Sequence, residues 1–230
     1  MCLVVAVLVG SLSDLSAAEI SGKVKLNGTP PPEATMKMTD PVCSKERGNE
    51  IISSRHYVVG ADKGLANVLV YIKEGAAPKA APGEAALLDQ TKCEYQPYVM
   101  GMQAGQKLKI RNSDATLHNV NAQPKINKGF NIGQPVKGSV AERTFDKPEE
   151  EFVRFKCDVH PWMFAYVGVL DHPYFAVTDK DGSFKISGVP AGKYTVAFRH
   201  PKCGVKTMEV TLADSDTKTL DVTLDVPAAK

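Results

Sequence analysis

Three side chains able to hold a soft metal lie in one run, Cys157-Asp158-Val159-His160-Pro161-Trp162-Met163, and a fourth, His118, stands far upstream in Leu117-His118-Asn119-Val120. A thiolate and two imidazoles suit copper in a trigonal plane, and a thioether supplies a weak, long axial contact. The Cys-x2-His-x2-Met spacing gathers three donors into one tight loop and leaves the second imidazole to arrive from a separate strand. Scattered singly, such residues are a buried thiol, a surface imidazole and core filler; gathered in this way they read as a ligand set. Zinc competes for the thiolate and imidazoles, but it prefers four firm donors in a tetrahedron and has little use for a thioether. Met163 therefore turns the reading towards copper.

A ligand loop of this kind needs rigid flanks, and the chain offers strands to supply them. Apolar and polar residues alternate in Gly22-Lys23-Val24-Lys25-Leu26, in Lys107-Leu108-Lys109-Ile110 and in Thr207-Met208-Glu209-Val210-Thr211-Leu212, the period of a half-buried strand. No long segment carries a helical period. Ala76 to Ala86 is rich in Ala and Pro and reads as a loop, because Pro defeats the helix that Ala favours. Beyond the ligand loop, Asp181-Gly182 predicts a hairpin between Val177 and Phe184, since Gly supplies the positive backbone angle a tight turn requires. The run from Val189 to Val196 then opens another strand.

The chain has 230 residues, 23% of them charged, and a formal net charge of +2. It is long enough for one or two packed domains and too nearly neutral to point to nucleic acid. Residues 1–18 contain an apolar stretch and end in Ser16-Ala17-Ala18, small residues of the kind read at an export cleavage site. We therefore expect an exported protein, periplasmic or secreted, with no integral membrane segment in the mature chain. A basic stretch before the apolar run is missing, as Lys23 is the first Lys or Arg. A spanning helix fits less well because Asp14 and the serines interrupt a short run. Five cysteines cannot all pair. Removing Cys2 with the leader and Cys157 for the metal leaves Cys43, Cys93 and Cys203. The first two sit beside turn or Pro residues, and we expect them to form a disulfide with Cys203 free; three reduced thiols is the alternative.

The ligand loop resembles the copper loop of the cupredoxins, in the Cys-x2-His-Pro-aromatic-Met form of their amicyanin-like branch. Residues from Cys93 to Val120 resemble the family's upstream half, with an aromatic-x-Pro strand, a Gly turn, an alternating strand, an Asn-x-Asp turn and the first His. The resemblance implies that His118, Cys157, His160 and Met163 bind one type 1 copper ion and that Asn119 supports the site from outside the ligand set. One departure is Phe164-Ala165, where such loops commonly place Gly two residues after the Met. A second resemblance lies in the sandwich signals after residue 171, which are similar to a carboxypeptidase regulatory-like, transthyretin-like domain. The opening signals of that family occur far upstream, as Gly22-Lys23-Val24, Gly28-Thr29-Pro30 and Ala66-Asn67-Val68-Leu69-Val70.

The expected fold is thus all-β, with a cupredoxin Greek-key sandwich over residues 76–170 inserted into a smaller regulatory-like sandwich made of 19–75 and 171–227. Two consecutive domains form the alternative. The expected function is single-electron transfer between a donor and an acceptor redox protein, with no nucleic acid partner and no catalysis by the chain itself. His160 is expected near the surface, under an apolar rim including Pro161 and Trp162, as the electron port. A copper storage or delivery protein, or an accessory domain of a copper oxidoreductase, is the alternative; an enzyme needs further His ligands, and only His56, His172 and His200 are left over.

Overall fold

The computed structural model describes residues 17–48 and 50–228. The expected leader over 1–18, with Cys2, lies outside the described residues except for Ala17 and Ala18. The described chain is almost entirely strand, with one short α-helix, Pro41–Glu46, and one 3-10 turn, Ala61–Lys63. No helix among the described residues is long and apolar enough to cross a membrane.

Two sandwiches share the chain. In the first, the strand Ala18–Asn27 lies between Ser183–Val189 on one side and Thr217–Thr219 and Val222–Asp225 on the other. The facing sheet runs in the order Phe175–Val177, Leu69–Glu74, Gly192–His200, Gly204–Leu212. Alternation explains the pairing of faces: Ile20, Val24 and Leu26 point inward while Lys23, Lys25 and Asn27 stay exposed, as the two-residue period of a strand requires. These side chains meet Val68, Val70, Ile72, Phe184, Ile186, Val196 and Phe198 in one core. The N-terminal strands and those after residue 171 therefore pack together across the intervening segment.

The expected hairpin at Asp181-Gly182 is corrected. The turn forms, with Gly182 N–H donating to Asp179 O and the Asp179 carboxylate accepting from Asp181 and Ser183 N–H. Beyond one bond from Asp179 N–H to Ser183 O at 3.1 Å, its flanks do not pair with each other: Phe175–Val177 joins Leu69–Glu74, whereas Ser183–Val189 joins Ala18–Asn27 in the opposite sheet. The turn is an arch between sheets, fixed by the bond from Val24 N–H to Gly182 O at 2.8 Å. Gly182 has φ +79°, and a Cβ there would stand 2.3 Å from Val24 O, so only Gly fits this close approach.

The second sandwich occupies the stretch between Leu69–Glu74 and Phe175–Val177, which are themselves paired. Its five-stranded sheet runs Phe130–Gln134, His118–Gln123, Glu149–Lys156, Phe164–Leu170, Val99–Gln103, and its four-stranded sheet runs Val140–Thr144, Lys107–Asn112, Ala86–Thr91, Glu94–Gln96. Met102, Leu108, Ile110, Val120, Phe145 and Phe155 fill the space between them. Leu69, Tyr71, Tyr98, Val99, Phe164 and Leu170 form a third apolar cluster joining the two sandwiches.

His200, at the end of its strand, is buried; its Nδ1 accepts from Lys202 and Cys203 N–H, and its Nε2 has no partner among the described residues. Burial, reinforced by His56 and Lys202, pushes its pKa from 6.5 down to about 4. The unfolded chain therefore takes up this proton first as pH falls. The contribution of neutral His200 is complete above pH 6.5 and declines by about 3 kcal/mol on acidification to pH 4. Chemical denaturation at several pH values should show this slope, and His200→Asn, which keeps an acceptor for the two N–H groups, should flatten it. An unchanged slope refutes the assignment.

Candidate metal centre

Local structure brings the ligand loop back on itself. Cys157 follows the strand Glu149–Lys156, Phe164–Leu170 begins one residue after Met163, and the loop closes through Cys157 N–H to Met163 O at 3.0 Å and Met163 N–H to His160 O at 2.9 Å. His118 opens the neighbouring strand His118–Gln123. The fold therefore places the first imidazole beside the loop although their positions in the chain are far apart.

His118 Nδ1 lies 2.9 Å from His160 Nδ1, and His160 Nδ1 lies 3.8 Å from Cys157 Sγ. The donor atoms of the three residues all fall within 4.8 Å of one another. An ion roughly 2.0–2.3 Å from each of three donors in a plane separates them by roughly 3.5–4 Å, so the cluster fits one ion once the direct contact between the imidazoles opens. Met163 is fully buried in the same core. Two imidazoles and a thiolate are the donors that converge, a set of the kind that suits copper or zinc.

The electrostatics prepare the donors. Burial pushes the Cys157 thiol up, but hydrogen bonds with His118 and His160, and from the backbone N–H of Asn119 and His160, outweigh it and bring the pKa from 9.0 down to about 6. Burial likewise lowers His118, and its bonds to Asp114 and Cys157 more than reverse this, raising it from 6.5 to about 9. The metal-free site at neutral pH is thus a thiolate beside an imidazolium. An ion held by His118 Nδ1 would have to displace its proton, so affinity would rise with pH.

Asn119 is where the resemblance implied a supporting residue. Its N–H donates to Cys157 Sγ at 3.4 Å, and its side chain ties the first strand to the loop by donating to Asn131 and to Asp158 while accepting from Asp158 N–H. Asp158 is held well below the usual carboxylate range by Lys156 and by Asn121, Asn131 and Asn119.

Two features of the site were not anticipated. Asp114, buried and four positions before His118, accepts from His118 Nε2 at 2.9 Å and from Lys92 and Cys93 N–H. A carboxylate on the outer nitrogen of a ligand imidazole fixes its tautomer and orientation. Asp114→Asn should lower the His118 pKa by about one unit or more, read by NMR titration of the copper-free protein; an unmoved titration refutes the role.

The second feature corrects the expected electron port. His160 is only 2% exposed and Trp162 5%. The segment carrying the helix Pro41–Glu46 lies over them, with Asp40 Oδ2 at 3.5 Å and Cys43 Sγ at 3.9 Å from His160 Nε2. Cys43 is joined to Cys93 in a disulfide, and Cys203 is a free thiol. Pro161 alone of the expected rim is exposed. An apolar rim over a loop imidazole was a local expectation, and a distant segment fastened by a cross-link displaced it.

One family model matches part of the chain, across both sandwiches. Residues 161–225 match a family model described as a carboxypeptidase regulatory-like domain, a segment that starts within the ligand loop and runs to the last strand. No curated protein matches the chain. Among solved structures, the chain is similar to a Cu-containing nitrite reductase from Thermus scotoductus SA-01, at 17% identity and TM-score 0.36, covering 44% of this chain and 25% of that one. It is also similar to a purple cupredoxin from Nitrosopumilus maritimus, at 21% identity and TM-score 0.32, covering 36% of this chain and 98% of that one. A mutant of amicyanin in its reduced Cu(I) form is similar at 22% identity and TM-score 0.33, covering 44% of this chain and 97% of that one.

Proposed function

We propose that this is an exported copper protein that carries single electrons between a donor and an acceptor redox protein. The observation that supports it most is the convergence of His118, Cys157 and His160 within 4.8 Å in a buried site. Copper held by His118, Cys157 and His160, with Met163 as the remaining donor, would supply a one-electron couple between its cuprous and cupric states. The chain's own work is to hold the donors still. His118 is anchored by Asp114, the Cys157 sulfur accepts two backbone N–H bonds, and His160 is packed against Trp162 with ring centroids 5.0 Å apart. A site that moves little on electron transfer keeps reorganisation small, and burial excludes water that would occupy a coordination position.

We read the chain as a carrier and not an enzyme because the remaining imidazoles are engaged elsewhere. His172 contacts Ile72 O and Tyr174 N–H, His200 accepts from its own turn, and His56 faces Tyr98. The division into residues 19–75 with 171–227, and 76–170 between, belongs to the same proposal, as does a periplasmic or secreted location. The Cys43–Cys93 disulfide supports the location, since such bonds persist in oxidising compartments. The test is anaerobic titration with copper(II), followed by cycles of ascorbate reduction and ferricyanide oxidation. One copper per chain that cycles without loss is expected. A protein that retains zinc after expression in copper-replete cells, or that fails to cycle, overturns the reading.

A further inference from the structure

The segment over His160 is fastened in a way that packing alone does not require. Asp40 caps the short helix, its Oδ1 accepting from Val42 and Cys43 N–H at 2.8 and 2.9 Å, while its Oδ2 accepts from Thr116 Oγ1 at 3.2 Å and faces His160 Nε2. At the other end of the helix Arg47 donates to Lys92 O at 2.7 Å and pairs with Glu94 at 2.5 Å. Between these two attachments stands the Cys43–Cys93 disulfide, with both sulfur-bearing residues fully buried and Cys43 Sγ against the imidazole. Cys93 O also accepts from Trp162 Nε1 at 3.1 Å. The cross-link therefore touches the ligand loop through both of its residues.

The walls of the metal centre are unequal. His118 lies in a paired strand, Cys157 continues one, and Met163 is sunk in the core between the sheets. His160 lies in the loop, and over its outer edge stands this strap, which contributes no strand to either large sheet. Opening any other wall breaks a sheet ladder; opening this one breaks a disulfide, a few polar contacts and the packing of Cys43 on the core.

We propose that the Cys43–Cys93 disulfide is a redox latch on the metal centre: closed, it presses the strap on His160 and retains the ion; reduced, it lets the strap lift and His160 swing away, so that metal enters or leaves. The inference rests on the copper reading above. In the opening step a dithiol reductant delivers two electrons and two protons. The S–S bond breaks, Cys43 and Cys93 become thiols, and the reductant becomes a disulfide. Loop closure explains the leverage, since the bond ties positions 50 residues apart in sequence and its loss restores the entropy of that loop.

The test uses the full chain with Cys203→Ser, so that Cys43–Cys93 is the disulfide acted on. In the cuprous state, maintained by ascorbate, transfer of copper to bicinchoninate should be at least tenfold faster in the Cys43→Ser/Cys93→Ser variant, and in the parent after phosphine reduction, than in the oxidised parent. Reoxidation of the reduced parent should restore slow transfer, which separates a latch from irreversible unfolding should the double variant fail to fold. Rates within twofold of one another in reduced and oxidised parent overturn the latch. An independent readout needs no copper: carbethoxylation of His160 in the metal-free protein, followed by peptide mass spectrometry, should be slow when the disulfide is intact and at least tenfold faster when it is reduced. Failure to bind copper with this difference present overturns the copper reading and leaves the latch; copper binding without either difference does the reverse.

Discussion

Replacing Cys157 by Ala should abolish an intense visible absorption that the wild-type chain develops with one equivalent of copper(II). The band arises from charge transfer out of the thiolate, so it needs a short metal–sulfur bond, and the chain supplies the sulfur already biased to its anionic form at a pKa of about 6. Loss of this donor removes one of three residues that converge on the site. Affinity should fall by more than the ten- to hundredfold typical when an outer partner of a ligand is removed. Titration of both proteins with copper(II), followed by visible and electron paramagnetic resonance spectra, measures both effects. A variant that keeps the band, or a wild-type protein that takes up copper without colour, would sink the assignment of Cys157.

A fragment beginning at Asp171 should show no cooperative unfolding transition. It lacks Ala18–Asn27, which sits between partners in one sheet, and Leu69–Glu74, which sits between partners in the other. With them go Ile20, Val24, Leu26, Val68, Val70 and Ile72 from the core. At about 1.5–3 kcal/mol for each buried side chain, the loss is on the order of 10 kcal/mol, as large as the whole stability of an ordinary domain. Circular dichroism against temperature and urea reads the outcome, and adding a peptide spanning 17–75 should recover a transition. A fragment that melts sharply on its own would favour two consecutive domains in place of an insertion.

The convergence of His118, Cys157 and His160 was legible because such donors are rare and their spacing compact. Cys157, His160 and Met163 in one loop need only a partner imidazole, and Leu117-His118-Asn119 stood out for the same reason. The strands were legible from alternation that survives in the structure, as in Lys107–Asn112, where Leu108 and Ile110 are buried and Lys107 and Lys109 exposed. Asp114 was visible but unremarkable, since a carboxylate in an Asn-x-Asp turn is ordinarily a turn residue; its burial beneath His118 is a tertiary fact. The arch at Gly182 was misread as a hairpin because a turn records only the reversal of the chain. Which sheet the next strand joins is set by Val24 and by the core beyond it. The strap escaped for the opposite reason: Asp40 and Cys43 carry clear local signals for a helix start and a cross-link, yet nothing local says that the helix will lie on His160.

The pairing of Ala18–Asn27 with Ser183–Val189 also sets a schedule. A chain made from its N-terminus presents Ile20, Val24 and Leu26 long before their antiparallel partner exists. At about 5–20 residues per second, the roughly 160 intervening residues take on the order of 10–30 s to appear. Within that interval the inner sandwich can close on its own strands, so it is completed first and the outer sandwich last. During the wait the first strand has two unpaired edges and an apolar face, the form in which strands join those of another chain. Output of correctly folded protein should therefore depend on how fast synthesis crosses the inner module, and slow codons placed there should cost yield even though no residue changes.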